Sequence, residues 1–556
     1  MHIRPQSRLL RGAPLLLLCL LALFLFTLQI PTRLAKENDK SETSAAASTA
    51  EQVELERQRQ LALEEEQRRA RIQLIESRRS VIEPVIVAND ESMRHLGFTH
   101  DIAVPTPVPP WTDSDMAFLQ TALGQSLQAD LLTSPEIMPN FKTLTVQQRV
   151  YKSLFQYFDQ IIAGDEIDYR NDPAWSLYLN IEKTLYPWLQ PHWENAFHIT
   201  NQTSGRGIVI CIGNHQFQYA ATTIRSIREV LKSNLPIEVF YIRDDDLSEM
   251  RRLYLETEFT NVKTRKIIDY VNDWYTRFGG WALKPYAVLA SSFREVILMD
   301  ADAYFFKKPD TLFDDAGYRK TGALFFYDRT LFPGWETGRL WLSSFLPTKS
   351  SLVEKSRWWK FKTAHEQESG VVVMDKRRVM LGLLATCKMN DRRERDHVTY
   401  KHIHGDKETF WVGFEMMQTP YSFIKSYGAV IGGLGDAGDP STVCGNQLHL
   451  GVDRKPLWWN GGLLRDKNKW PDRYLKFTHY AEGQDWHFED SCIKETDRIH
   501  EFTKEERELA LKYVELDRQR RKDEQLIEQG LWQPRQRKEK QSAEEEEIES
   551  RQSPPS

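Results

Sequence analysis

Glu295-Val-Ile-Leu-Met-Asp-Ala-Asp-Ala-Tyr-Phe-Phe306 sets two carboxylates directly behind a short apolar run. Val296 to Met299 has the length and branched-aliphatic character of a buried strand. In an open α/β sheet, ligands sit just outside the carboxyl ends of the strands, which is where Asp300 and Asp302 fall. On extended backbone, residues i and i+2 project to the same side, so both acids are expected to face one ligand. Hard carboxylate oxygens suit Mn²⁺ or Mg²⁺, which keep phosphate oxygens and water as their remaining ligands. An ion held this way neutralises a departing diphosphate, as sugar transfer from a nucleotide donor requires.

On either side of this stretch, from Gly207 to about Asp490, short apolar runs alternate with helical patterns. Strands are expected at Gly207–Ile212, Ile237–Ile242, Glu295–Met299, Gly322–Phe326 and Gly370–Met374, with helices over Tyr219–Ser233 and Trp281–Ser291. The alternation predicts an α/β domain over 201–500. A mainly helical part of the same lumenal portion is expected over 111–200. A charged tail is expected over 501–556, helical at its start and solvated beyond. Asp244-Asp245-Asp246 also follows an apolar strand, but there the acids read as the cap of a following helix.

The chain has 556 residues, 41% of them hydrophobic and 28% charged, with a formal net charge of -5. That balance lacks the basic footprint of a nucleic-acid binder. Residues 13–30 form an uncharged apolar run preceded by Arg4, Arg8 and Arg11. Roughly 18 helical residues cover about 27 Å, enough for a thin secretory-pathway bilayer. The basic flank keeps residues 1–12 cytoplasmic. The run therefore reads as a signal anchor, with a cleaved signal peptide as the rival. The polar spacer and the charged helical stretch Glu51–Arg79, continued by the Pro-rich hinge Val104–Trp111, make 31–110 a stem and favour the anchor. Cys211, Cys387, Cys444 and Cys492 would then lie in the lumen, where three pairings are open to them. The sequon Asn201-Gln202-Thr203 becomes usable in the same topology.

Two further groups carry possible chemistry. In Gln447-Leu-His-Leu-Gly-Val-Asp-Arg-Lys-Pro-Leu-Trp458, His449 could ligate the same ion and Lys455 could face the diphosphate. The plain alternatives are a core histidine and a solvated lysine. In Gly405-Asp-Lys-Glu-Thr-Phe-Trp411, Asp406 and Glu408 precede an aromatic pair, a suitable place for an acceptor. They read equally as caps of a helix over Lys407–Met417.

Taken together, Ile208–Asn214, Leu235–Tyr241, Ile297–Asp302, Glu368–Met374, Gly405–Trp411 and His449–Trp458 resemble the GT-A glycosyltransferases, and more closely the fungal alpha-1,3-mannosyltransferases of glycosyltransferase family 71. The resemblance spans about half the chain, Gly207 to Gly462, and family members share the anchor, stem and lumenal domain. It implies a Golgi type II membrane enzyme that transfers mannose from GDP-mannose to a mannose-terminated glycan, with retention and an alpha-1,3 linkage. It also implies Mn²⁺ on Asp300, Asp302 and His449, Asp300 also meeting the donor diphosphate, and Gly213, Asn214 and Tyr219 at the nucleoside. Lys284 and Lys455 would face the donor, although the spacing around Lys455 departs from the related motif. Asp406 or Glu408 would serve the transition state, as carboxylates do in glycoside hydrolysis. Arg225 is expected on a helix surface. Partners implied are the donor, the glycan acceptor, the Golgi membrane and self-association or a mannosyltransferase complex. Two other classes stay open, a GT-A enzyme using a UDP-hexose and a non-catalytic Golgi membrane scaffold.

Overall fold

The computed structural model describes residue 52, residues 54–63, and residues 91–533 except 106–110, 134–137, 163–169, 171, 437, 485, 490 and 494–497. The apolar run 13–30, most of the stem and residues 534–556 lie outside the described residues. Among the described residues no helix is long and apolar enough to cross a membrane. The chain divides into two units, 1–73 and 74–556. In the first, residues 54–63 form a helix with every side chain exposed.

The second unit is organised by strands β1 (His100–Ala103), β2 (Arg206–Cys211), β3 (Ile237–Tyr241), β4 (Val262–Lys266), β5 (Glu295–Met299), β6 (Tyr304–Phe305), β7 (Ala323–Tyr327), β8 (Gln367–Asp375) and β9 (Tyr421–Ile424). Eight of them form a mixed sheet in the order β1-β9-β7-β8-β5-β2-β3-β4. Pairs β2–β3, β2–β5 and β3–β4 are parallel, whereas β8 runs antiparallel to both β5 and β7. β2, β3 and β5 match expectation to within a residue or two, and β7 and β8 begin near the predicted positions.

The strands are hydrophobic on both sides because both faces are covered, as βα crossovers require. Val209, Val296, Leu298 and Val372 point into a core shared with the helices Phe141–Ile162, Pro173–Leu185, Leu283–Ala290 and Lys376–Met389. Their strand neighbours Ile208, Ile210, Ile297 and Val371 point the other way, against Phe217–Arg225 and Glu249–Glu258. The expected helix over Tyr219–Ser233 continues from Phe217–Arg225 as a wider π-turn over Ser226–Val230.

A second, antiparallel sheet was not legible in the sequence. Strands β10 (Ala429–Leu434), β11 (Val443–Leu450) and β12 (Pro456–Asn460) form its centre, and β12 also pairs with β6. Cys444 on β11 is disulfide-bonded to Cys492, while Cys211 and Cys387 are free thiols.

The reading of 501–556 as a tail is corrected over its first half. Lys504–Glu528 is a 25-residue helix that buries Ala510, Tyr513, Val514 and Ile527. Its start is fixed by a capping box between Thr503 and Glu506. Tyr513 donates through its hydroxyl to the Phe305 carbonyl at 2.7 Å, just past the acidic triplet. Arg225 is corrected as well. It is buried, donating to Tyr254 at 2.8 Å and pairing with Asp523 at 3.2 Å and Glu258 at 4.0 Å. Removing one partner of a buried pair leaves the others uncompensated. Arg225→Met should therefore lower the unfolding free energy by about 3 kcal/mol in urea titrations, and Asp523→Asn by less, since Asp523 is nearer solvent.

Candidate active site

The site begins where β5 ends. Backbone hydrogen bonds hold Asp300 N to Gly370 O at 2.8 Å and Ala303 N to Asp300 O at 3.2 Å, so the triplet is a turn and not an extended segment. Thr223 donates to the Ala301 carbonyl at 2.7 Å, and the Gly462 amide to the Asp302 carbonyl at 2.9 Å. The turn is thus tied to β8, to the helix after β2 and to the loop after β12. Asp300 and Asp302 both line a cleft of about 930 Å³. That volume lies in the range of small-ligand sites.

Each acid meets its own cation. Lys284, on the first turn of Leu283–Ala290, lies 2.6 Å from Asp300 and 3.7 Å from Asp406. Burial works to lower the Lys284 ammonium, but Asp300, Asp406 and Glu368 outweigh it and raise its pKa. Burial raises the Asp300 carboxyl against the opposing pull of Lys284. Asp302 is bound at 2.7 Å by Lys467, whose ammonium also sits 5.3 Å from the centre of the Tyr219 ring.

A second charged group forms the floor. Lys407 bridges Asp328 at 2.7 Å and Glu368 at 3.0 Å, and Gln447 donates to Asp328 at 2.9 Å. Burial opposes ionisation of Glu368, yet Lys407 holds its carboxyl below the ordinary glutamate range. Asn460 donates to Glu368 at 3.1 Å and to Asp300 at 3.4 Å, joining the two groups.

The residues expected from the sequence divide clearly. Gly213, Tyr219, Lys284, Asp300, Asp302 and Asp406 line the cleft. A Cβ on Gly213 would come within 2.4 Å of an Asp246 carboxylate oxygen, so a larger residue there would have to displace that carboxylate. Asn214 does not line the cleft. Its side chain accepts from Ser248 N at 3.0 Å and Arg251 at 2.9 Å, bracing the loop after β3. In that loop Asp246 accepts from Ile242 N at 2.9 Å, and the helix begins later, at Glu249. The acids there close a turn and do not cap a helix.

Three expectations are corrected. Among the described residues no three His, Cys, Asp or Glu side chains are grouped to hold a metal ion, so His449 does not join Asp300 and Asp302. His449 is buried and stacked on Trp458 with ring centres 4.0 Å apart, and burial brings its imidazole down to about 4. Lys455 sits outside the cleft in the turn from Gly451, and Lys467 takes the cationic position beside Asp302. Glu408 faces the protein interior, accepting from Glu366 N at 2.9 Å and from the Trp411 indole N–H. It makes no side-chain cap to the helix Thr409–Met416. The roles of Lys467 and Lys407 have no sequence signal. Glu368 had a faint one, an acid near the start of the apolar strand β8.

The comparisons with known proteins fit this site. Residues 205–450 match the family model described as "Mannosyltransferase putative". The chain is 28% identical over 333 residues to the probable alpha-1,3-mannosyltransferase MNT4 of Saccharomyces cerevisiae, covering 52% of this chain and 55% of that one. It is 26% identical over 327 residues to the alpha-1,3-mannosyltransferase MNN1 of the same yeast, covering 49% and 42%. The chain thus spans about half the length of the curated relatives it matches. A solved core-mannan synthase A of Aspergillus fumigatus, in its Mn/GDP form, is 11% identical and covers 39% of this chain and 71% of its own, with a TM-score of 0.25, a likeness too remote to bear on the site. Over the central region 205–450 the chain is similar to fungal alpha-1,3-mannosyltransferases.

Glu408 offers a test of its interior position. Burial raises its carboxyl to about 8 from an ordinary 4.5. Between those values the folded protein keeps a proton that the unfolded chain releases, so stability from this group falls as pH rises. Glu408→Gln cannot ionise, so its stability relative to wild type should improve from pH 5 to pH 8. The gain is at most ~1.4 kcal/mol per pH unit, read by urea unfolding at each pH.

Proposed function

We propose that this protein is a GT-A-type, retaining mannosyltransferase that moves mannose from GDP-mannose to a mannose-terminated protein-linked glycan, forming an alpha-1,3 linkage. The observation that carries the reading is the pair Asp300 and Asp302 at the end of β5, set in a cleft beside Lys284 and Lys467. The yeast relatives, named as alpha-1,3-mannosyltransferases, support the sugar and the linkage.

Two carboxylates fit Mn²⁺ or Mg²⁺, which commonly binds through one or two acids together with substrate phosphates. Asp300 and Asp302 would hold the ion, and its chemistry there is to offset negative charge on the diphosphate. The remaining work falls to side chains of this chain. Lys467 is free to turn from Asp302 toward phosphate once that acid is engaged, and Tyr219 borders the same corner. Glu368, kept ionised by Lys407, stabilises positive charge developing on the mannosyl ring as its bond to phosphate breaks. The acceptor hydroxyl oxygen forms the new bond to that carbon. Its proton passes to the departing phosphate or to Asp406, whose carboxyl burial raises to about 6.

The proposed setting is the Golgi lumen, with 13–30 as a type II anchor. The Cys444–Cys492 disulfide suits an oxidising compartment. Detergent-solubilised full-length protein with GDP-mannose, Mn²⁺ and mannobiose should form an alpha-1,3-linked product. Asp302→Ala or EDTA should lower the rate more than about a hundredfold. Retained activity under either condition overturns the metal-assisted reading. A wild type that turns over only a UDP-hexose overturns the donor.

A further inference from the structure

Away from the phosphate corner, the cleft changes character. Trp281 lies half-exposed at its rim, 50% accessible, on the short helical turn Gly280–Ala282. Its ring centre is 5.2 Å from that of His404, which also lines the cleft. From His404 the rings continue outward, to His365 at 5.9 Å, on to Phe332 at 6.1 Å and then to Phe488 at 5.1 Å. Phe332 and Phe488 are 46% and 58% accessible, large exposures for phenylalanine. An exposed apolar surface of this kind, continuous with a cleft, marks a binding face.

The track is built. Gly405 has φ +66°, and a Cβ there would come within 2.9 Å of the Trp281 ring, so a glycine leaves that ring its place. Phe332 has φ +54°, a conformation that a bulky side chain seldom adopts. Burial lowers the His404 imidazole and brings His365 down to about 4, so the charged form of both is disfavoured. Flat rings suit the C–H faces of a sugar chain.

We infer that the row Trp281, His404, His365, Phe332 and Phe488 is an extended acceptor track, which selects a glycan of several neutral sugar units over a single mannose or mannobiose. The inference rests on the transferase reading of the cleft and adds to it the length of the acceptor. Sugar at the inner end meets Trp281 and His404 beside Asp406. Units further from the reacting hydroxyl meet Phe332 and Phe488, so the outer rings act on acceptor binding and not on bond making.

The test compares mannobiose with a mannopentaose acceptor for the full-length wild type, for Phe332→Ala/Phe488→Ala and for Leu340→Ala, a control at an exposed apolar residue outside the track. Wild type should prefer the longer acceptor by roughly tenfold or more in kcat/KM, carried by KM. The double variant should lose that preference with kcat on mannopentaose kept, and the control should keep both. Equal length preference in wild type and double variant overturns the track. So does a change in oligomeric state in sedimentation with length preference intact, which would mark the face as a protein contact. If no acceptor is mannosylated, the transferase reading fails separately, and the track is read by binding. Mannopentaose should then quench tryptophan fluorescence in wild type and not in the double variant, and equal quenching in both refutes it.

Discussion

A lysine ammonium buried among carboxylates sets the terms for the rest of this site. Lys284 lies against Asp300 and Asp406, with Glu368 close enough to act on its charge. Taking several acids out of water is costly unless cations accompany them. The fold supplies those cations from separate elements: Lys284 from a helix packed on the sheet, Lys407 ahead of the helix Thr409–Met416, and Lys467 beyond β13 (Leu464–Asp466). Each lysine therefore constrains where its own element can sit. An anionic diphosphate entering the cleft would find cations already directed inward, with the acids that hold them available to a divalent ion.

The second sheet completes what the first cannot. The β6–β12 pairing, Trp458 with Phe305 and Trp459 with Tyr304, starts two residues after Asp302. It carries Asn460, Gly461 and Gly462 over the acidic turn, where Asn460 reaches Asp300 and the Gly462 amide holds the Asp302 carbonyl. Gly461 and Gly462 both have positive φ, 99° and 85°, a backbone path that β-carbons resist. The C-terminal helix then clamps this junction, since Tyr513 bonds the Phe305 carbonyl and packs against Tyr304. A turn fixed from so many sides suits preorganised electrostatics, which act only if the charges are held before substrate arrives.

What could be read from the sequence follows the reach of local rules. The strand before Asp300 was visible because its residues are apolar on both faces, whereas Gly213 was named only through the family resemblance. The second sheet escaped because glycines break the apolar pattern of β10 and β11 and because β6 has only two residues. Arg225 and the helix Lys504–Glu528 misled for one shared reason. Their charges look solvated one by one, and only their pairing across nearly three hundred residues buries them. Lys455 and Lys467 show the same limit. Both are lysines in polar turns, and chain topology alone decides which of them reaches Asp302.

The cleft is polarised along its length, and the polarity follows from burial more than from composition. At one end, acids and lysines lie close enough to neutralise one another, leaving a field that a diphosphate and its ion can rearrange. At the other, two histidines whose charged forms burial disfavours join a row of rings. A charged imidazole beside Asp328 and Lys407 would disturb the ion pairs that keep Glu368 ionised. On the proposed reading, disfavouring charge at that boundary serves both halves: it would leave the acids at the phosphate end undisturbed and present a flat wall to the acceptor.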